Sequence, residues 1–335
     1  MMAWASDNPV VHNALGSATA GIISRLFTHP LDTAKAQMQA GGLNAAHLKG
    51  PWDALFKTYA REGVRGWYRG FGVILVGGTP GTILYLCGYD MFKNNLSSLA
   101  YSDQATIKSD SKEFTIHFAS GMLAETCACL VYVPVDVIKE RLQVQSLYVQ
   151  GHSKTNENLY KGSADAFRKI MRSEGLRGIY KGYGATLASF GPFSAFYFVF
   201  YEKLKDLAKQ QDPSYNQKPS QNYLKKQDGD LSFAFLLGCS CSAGAMASFI
   251  TSPLDMAKLR LQIQRGNLVS NHEAPTVSYR GMLDCLSQVY TENGIRGLFR
   301  GAGARVLHFA PATTITMTCY EKCRAFFARA LSSPS

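Results

Sequence analysis

The chain has 335 residues, 46% of them hydrophobic, and a mean hydropathy of −0.08. Its formal charge is +11, yet no dense basic stripe is interleaved with aromatics and no zinc-finger or RNP pattern occurs, so nucleic acid is not an expected partner. The 8 cysteines form no Cys-x-x-Cys pair, and Cys87, Cys127, Cys129 and Cys239 lie in apolar runs, which reads as small buried hydrophobes rather than a disulfide framework.

The average hydropathy hides long uncharged stretches. Residues 1–13 show neither a basic-apolar leader nor an Arg-rich amphipathic pattern, so an organellar address is expected to be internal. No lipidation motif is present. A first span is predicted at 10–39 and a second at 72–96, where 70–89 carries no charge. A third is predicted at 113–144, whose apolar part holds the single charge Glu125. A fourth follows at 184–206, a fifth at 231–263 and a sixth at 302–328. About 20 apolar residues cross a bilayer core as a helix. The runs are rich in Gly, Ser and Thr, which suits close helix packing or a wet inner face. Short amphipathic surface helices are predicted at 52–61, 163–172 and 282–291. Segments 97–112 and 207–230 are polar, lack a period and read as linkers.

The spans belong to a threefold internal repeat. Pro30, Asp32, Lys35 and Gln39 recur as Pro134, Asp136, Lys139 and Gln143, then as Pro253, Asp255, Lys258 and Gln262. Lys49-Gly50, Lys161-Gly162 and Arg280-Gly281 open the surface helices. Glu62-Gly63, Glu174-Gly175 and Glu292-Asn293-Gly294 follow, with Asn293 read as an insertion. Next come Tyr68-Arg69-Gly70, Tyr180-Lys181-Gly182 and Phe299-Arg300-Gly301. Each copy closes on an aromatic, an acid and a base: Tyr89-Asp90 with Lys93, Tyr201-Glu202 with Lys205, and Tyr320-Glu321 with Arg324. A repeat of this length with two apolar runs is a transmembrane unit rather than a solenoid module. Loops 40–70, 145–182 and 264–301 sum to +8, and the opposite side sums to zero, which sets the orientation.

This set of motifs resembles the mitochondrial carrier family over nearly the whole chain. The resemblance implies an all-α membrane protein with six transmembrane helices. They form three tandem two-helix repeats in a pseudo-threefold barrel, with three short matrix-side amphipathic helices. The repeats would be 1–100, 101–210 and 211–335, one transport domain in all. The expected setting is the mitochondrial inner membrane, with both termini in the intermembrane space and the monomer as working unit.

Prolines at 30, 134 and 253 remove a backbone hydrogen bond each and are expected to kink three helices. Charge inside a membrane must be paired or wetted. By family analogy a matrix gate would pair Asp32–Lys139, Asp136–Lys258 and Asp255–Lys35, braced by Gln39, Gln143 and Gln262. A cytoplasmic gate would pair Asp90–Lys205, Glu202–Arg324 and Glu321–Lys93, braced by Tyr89, Tyr201 and Tyr320. Such rings would open and close alternately. The surface-helix entries at Gly50, Gly162 and Gly281, with Arg69-Gly70, Lys181-Gly182 and Arg300-Gly301, would hold cardiolipin phosphates at helix N-termini. Their glycines would let the backbone approach the headgroup. No other cofactor and no resident metal is implied.

The resemblance places substrate contacts at Gly77-Gly78, Ser189-Phe190 and His308-Phe309, and at Arg25, Cys129 and Ser248. Arg25 either faces a wet cavity, where its fork suits carboxylate or phosphate, or makes a structural ion pair. His308 either meets a solute or packs. Glu125 either pairs with Arg305 or Arg25 or reads a substrate amine. Phe190, Phe196, Tyr197 and Phe309 either present aromatic faces to a ring-bearing solute or pack. Ser189-Phe190 departs from the Arg-containing pairs of amino-acid and keto-acid carriers and only loosely imitates the Gly-aliphatic pair of adenine-nucleotide carriers. The Arg-rich gate of ADP/ATP exchangers is absent, as is any EF-hand loop.

The leading expectation is a carrier of a small anionic or zwitterionic metabolite or nucleotide-like cofactor, working by alternating access and exchange. A mitoferrin-like metal-ion carrier is the rival, motivated by His29, His308, Cys127, Cys129 and Cys319, although no two have a recognised ligand spacing. A non-transporting membrane adaptor is the third reading, which two complete gates disfavour. No nucleophile–base–orienter set, P-loop or dinucleotide fingerprint points to an enzyme.

Overall fold

The computed structural model describes residues 9–41, 48–100, 110–148, 159–211, 232–264 and 278–332, and among them all regular structure is helical. In chain order the helices are α1 (Pro9–Gln39), α2 (Pro51–Glu62), α3 (Val64–Trp67), α4 (Phe71–Ala100), α5 (Asp110–Tyr148) and α6 (Ser163–Ser173). Then follow α7 (Gly175–Ile179), α8 (Tyr183–Gln211), α9 (Phe233–Ile250), α10 (Ser252–Ile263), α11 (Met282–Leu298) and α12 (Ala302–Ser332). The predicted linkers begin later than expected, because α4 runs on to Ala100 and α8 to Gln211. Residues 97–100 and 207–211 contain no proline or glycine to stop the helix.

Among the described residues, three stretches are long and apolar enough to cross a membrane: Val64–Leu99, Lys112–Leu147 and Phe233–Ile250. Helices α1, α8 and α12 have comparable lengths of 31, 29 and 31 residues. They carry charges within the span, such as Arg25, Lys205 and Arg305, so apolar length alone does not single them out.

Proline acts differently in the three odd helices. α1 and α5 pass through Pro30 and Pro134 without a break in the helix. The expected span 231–263 is instead two helices. Thr251 caps α10 at φ −86° and ψ 5°, and its carbonyl accepts the N–H groups of Leu254 and Asp255. Pro253 then falls in the first turn of α10, where a missing N–H costs nothing. The even helices carry their own prolines, Pro80, Pro192 and Pro311, each ten residues past the glycine that precedes the helix.

The surface helices match the prediction closely. α2 and α6 end at Gly63 and Gly175, with φ 64° and 65°, and α11 bends at Gly294 with φ 60°. A left-handed φ of this kind favours glycine. Asn293 is therefore not an insertion, since Gly281 to Gly294 spans the same interval as Gly50 to Gly63. It replaces the acid of the other repeats: side chains Glu62, Glu174 and Asn293 lie over Gly66, Gly178 and Gly297 respectively.

The helices pack into two compact units, one of Met1–Asp32, Phe196–Ile250 and Ala302–Ser335, the other of Thr33–Ala195 and Thr251–Gly301. In the first, Ala208 and Cys239 are buried against Tyr201, Leu204, Phe235 and Leu236. Ser24 Oγ donates to the Ala312 carbonyl at 3.0 Å, tying α1 to α12. In the second, α5 is the centre. Its residues Cys129, Val133, Val137, Ile138 and Leu142 join Tyr160, Ala166, Ile170 and Ile179 in one core. A smaller core joins α10 and α11 through Met256, Ala257, Cys285 and Val289. α4 lies against α5 along glycines, with Gly77 facing Val135, Gly81 facing Tyr132, and Gly88 facing Ala124 at 3.5 Å from an ideal Cβ. Small residues let helices approach closely where lipid offers no hydrophobic drive.

Candidate functional site

Asp and Lys three residues apart share a helix face. In the second unit that face is used twice. Lys35 Nζ lies 2.8 Å from Asp255 Oδ2, and Lys258 Nζ lies 2.8 Å from Asp136 Oδ2. Both pairs join different repeats, in the expected order. Their side chains are between 13% and 27% exposed. At that depth screening by water is partial, and losing one partner strands the other charge. Asp32, the partner expected for Lys139, belongs to the other unit, and within its own unit Lys139 Nζ lies 3.0 Å from Glu140 Oε1.

A second ring of bonds accompanies the ion pairs. Gln37 Nε2 donates to the Gln143 carbonyl at 3.2 Å. Arg141 Nε donates to the Gln262 carbonyl at 3.0 Å, and Arg260 Nε to the Gln39 carbonyl at 3.2 Å. The donor is always two residues past the ring lysine, and the acceptor four past the lysine of the following repeat. The ring thus runs from repeat 1 to 2, 2 to 3, and 3 to 1. The two ion pairs run the other way, from Lys of repeat 1 to Asp of 3 and from Lys of 3 to Asp of 2. Helix ends explain the choice of donor. α1 stops at Gln39 and α10 at Ile263, so their last carbonyls lack intrahelical partners and attract cationic donors. α5 continues beyond Gln143 to Tyr148, and there a neutral Gln37 suffices.

This arrangement corrects the expected glutamine brace. Gln143 Nε2 donates to Thr33 Oγ1 at 3.1 Å, and Gln262 Nε2 to Thr186 Oγ1 at 3.4 Å. The amide atoms of Gln39 have no hydrogen-bond partner among the described residues. What each glutamine contributes to the ring is its carbonyl, because its side chain turns aside to a threonine or a glycine.

Arg141 is the most heavily bonded of these donors. Its guanidinium holds both Glu174 oxygens, at 2.5 and 2.9 Å, and also reaches the Gln264 carbonyl at 3.0 Å. Repeat 3 has Asn293 where Glu174 stands, and Arg260 turns instead to the Tyr279 hydroxyl at 3.1 Å. In repeat 1 the donor is neutral, and Glu62 Oε2 makes an ion pair with Arg69, 2.6 Å from its Nε. The sequence signal was present in the residue two past each lysine and went unused.

Of the residues expected in the second gate, Lys205 Nζ lies 3.4 Å from Glu202 Oε1 on its own helix and 5.7 Å from the centre of the Tyr201 ring. Lys93 sits 6.0 Å from the Tyr89 ring centre, and the Tyr89 hydroxyl bonds His117 Nδ1 at 2.6 Å. Asp90 is exposed and Tyr320 half-buried. The side chains of Glu321 and Arg324 lie outside the described residues.

The glycines assigned to lipid headgroups fall into two classes. Gly50, Gly162 and Gly281 are helix caps with φ of 179°, 177° and −176°, extended backbone open to any residue. Gly70, Gly182 and Gly301 have φ of 80°, 81° and 82°. What approaches these three is protein: the Lys139 backbone at 3.1 Å from an ideal Cβ, Gln262 Cγ at 2.8 Å and Gln39 Cγ at 2.7 Å. Their bareness serves the seam between repeats. Each surface helix also has a cap that the sequence reading missed. The backbone N–H groups of Lys49, Lys161 and Arg280 donate to Asp53, Asp165 and Asp284 at 2.9, 2.9 and 2.8 Å. The Lys57 ammonium and the Lys49 N–H hold the Asp53 carboxyl below its ordinary range, and the backbone N–H leads for the other two.

The proposed substrate contacts divide between the units. In the first, Arg25 is half-buried, the Ser248 carbonyl accepts Arg305 Nη1 at 3.2 Å, and Phe309 packs on Tyr197 with ring centres 6.4 Å apart. His308, beside it on α12, is half-buried. In the second, Gly77 is covered by Val135, which makes it a packing position rather than an open wall. The Gly78 carbonyl accepts Thr82 Oγ1 at 2.9 Å. Ser189 is buried, and Cys129 is fully buried with its thiol 3.6 Å from Glu125 Oε1. Phe190 meets Tyr85 edge-on at 6.4 Å. Among the described residues no three His, Cys, Asp or Glu side chains gather to hold a metal ion.

A family model described as mitochondrial carrier protein matches the chain three times, at residues 6–99, 110–212 and 229–331. The chain is 33% identical to mitochondrial substrate carrier family protein E of Dictyostelium discoideum, over 93% of this chain and 95% of that one. It is 34% identical to the mitochondrial aspartate-glutamate transporter of Saccharomyces cerevisiae, over 93% of this chain and 31% of that one. It is 30% identical to a mitochondrial nicotinamide adenine dinucleotide transporter of Arabidopsis thaliana, over 97% of this chain and 82% of that one.

Proposed function

Because the chain belongs to the mitochondrial carrier family, whose members are transporters of the mitochondrial inner membrane and not enzymes, we propose that it moves a small anionic or zwitterionic metabolite or nucleotide-like cofactor by alternating access. The observation that carries this reading is the pair of ion pairs, Lys35–Asp255 and Lys258–Asp136, each joining two repeats at 2.8 Å. Partly exposed bonds of this kind are strong enough to close an end of a solute path and weak enough to be exchanged for others. Arg25 is the anion-reading residue, with a fork suited to carboxylate or phosphate. Lys205–Glu202, Lys93 and Asp90 belong to the opposing gate, and opening one gate is offset by closing the other, which favours exchange over free flow.

The relatives are named for an amino-acid pair and for a dinucleotide, so family membership sets the mode of action and the site must set the substrate. Both termini face the intermembrane space in this reading, supported by the positive charge of the loops that hold α2, α6 and α11. Cardiolipin phosphates sit at the N-termini of those helices and of α4, α8 and α12, where unsatisfied N–H groups favour anions. The working unit is the monomer.

The test is reconstitution of the purified protein in liposomes loaded with labelled metabolites, after a thermal-shift screen for solutes that bind. Uptake that requires internal counter-solute and is lost in Arg25→Ala supports the proposal. Equal efflux with and without counter-solute would remove exchange, and uptake insensitive to Arg25→Ala would remove the anion site.

A further inference from the structure

Glu125 is only 8% exposed, in the middle of the apolar part of α5. A buried carboxylate is costly unless something compensates its charge. Its one described hydrogen bond comes from the Cys129 thiol one turn along, at 3.6 Å, which is too weak to do so. Within its own unit no Lys or Arg of the described residues stands at ion-pair distance from it. The basic group that acts on it, Lys258, is committed to Asp136 at 2.8 Å.

Aromatic rings close over the same face of α5. α4 packs on one flank of α5 through Gly88 and Ala124, and α8 on another, where Gly191 lies 3.4 Å from Met122 Sδ by an ideal Cβ. From these flanks Tyr85 of α4 and Phe190 of α8 reach across and meet, with ring centres 6.4 Å apart and planes at 72°. The Tyr85 hydroxyl comes within 3.8 Å of an ideal Cβ on Gly121, one turn before Glu125 on that face. A carboxylate on the face of α5 that Tyr85 approaches, with Phe190 set against that half-buried ring, is an environment that attracts a cation and repels an anion.

Building on the carrier reading above, we infer that Glu125, Tyr85 and Phe190 form a subsite for the ammonium group of a zwitterionic solute. The substrate class narrows accordingly, from anionic or zwitterionic metabolites to those with an amino group beside their carboxylates. The Ser189-Phe190 pair is uncharged, and the acid of this subsite comes from α5. The Phe190 ring acts in this subsite as one wall.

Matched pairs of solutes test this in liposomes and by thermal shift of the detergent-solubilised protein. The probes are L-glutamate against glutarate and L-aspartate against succinate, each pair differing only in the ammonium. Wild-type protein is expected to move the amino acids at least tenfold faster and to be stabilised by them alone. Glu125→Gln is expected to lose that preference and Glu125→Asp to recover part of it, while Glu202→Gln keeps the preference even where its rate falls. Wild-type protein that favours glutarate and succinate, or moves both members of a pair equally, overturns the subsite and leaves the carrier standing. The same holds if Glu125→Gln abolishes proton uptake that accompanies a dianion, since the carboxylate then holds a proton. Wild-type vesicles that move nothing in the panel overturn the subsite and leave the carrier reading, which includes nucleotide-like cofactors, standing. Selectivity of the wild-type protein decides the matter even where Glu125→Gln fails to fold.

Discussion

Lys258 Nζ and Asp136 Oδ2, 122 residues apart in the chain, stand 2.8 Å from each other and join the second and third repeats. A charge reversal at Asp136 converts this attraction into repulsion between two ammonium groups. Asp136→Lys is therefore expected to stop transport, while Asp136→Lys with Lys258→Asp recovers part of it. Initial uptake rates in liposomes measure both, and undiminished transport in the single variant would remove the pair from the gate.

Arg141 and Arg260 do comparable work with unequal support. Arg141 bonds Glu174 twice and two carbonyls besides, whereas Arg260 has a carbonyl and a hydroxyl. Arg141→Gln strands a buried carboxylate and is expected to cost about 3 kcal/mol. Arg260→Gln is expected to cost about 1 kcal/mol, the scale of one net hydrogen bond, because it loses bonds to a carbonyl and a hydroxyl and strands no carboxylate. Melting temperatures in detergent would show the larger drop for Arg141→Gln, and equal drops would contradict the weight given to its Glu174 pair.

The two classes of glycine are separable in the same assay. Gly301→Ala forces a Cβ into a φ of 82° and against Gln39 Cγ at 2.7 Å, a cost of about 2 kcal/mol from the backbone alone. Gly281→Ala meets nothing within 4 Å at an extended φ and is expected to leave the melting temperature unchanged. A comparable loss from both would contradict the division into two classes, since an alanine at Gly281 leaves the helix N-terminus open.

The repeat was fully legible in the sequence because its landmarks are residues whose chemistry leaves little choice. Proline punctuates helices, glycine permits the turns at 70, 182 and 301, and charges in apolar runs need partners. Asn293 had a legible place as well: Gly281 to Gly294 spans the same interval as Gly50 to Gly63, and the φ of Gly294 and the stacking of Asn293 over Gly297 agree with that spacing. Main-chain acceptors were illegible. The carbonyls of Gln39, Gln143 and Gln262 carry no side-chain signature, so the amide beside each one attracted the role. Glu125 was visible as an odd charge, but the rings that cover it come from helices before and after α5 in the chain, which no local pattern connects.

The caps on the surface helices give a pH dependence with a defined sign. The Asp165 carboxyl is held below its ordinary range by the Lys161 backbone N–H first and by Lys169 after it, and Asp284 likewise by the Arg280 N–H. A carboxyl whose folded pKa is depressed contributes stability that is complete above its unfolded value, near about 4, and disappears as pH falls through the folded value. The first turns of α6 and α11 are therefore expected to be fully protected at neutral pH and to fray below about pH 4. Protection of the Lys161 and Arg280 amides against hydrogen exchange reads this directly, after correction for the intrinsic exchange rate. Asp165→Asn keeps an acceptor without the charge, so the Lys161 amide is expected to lose its acid transition in that variant while the Arg280 amide retains its own. Persistence of the transition at Lys161 would show that the protection there comes from a group other than Asp165.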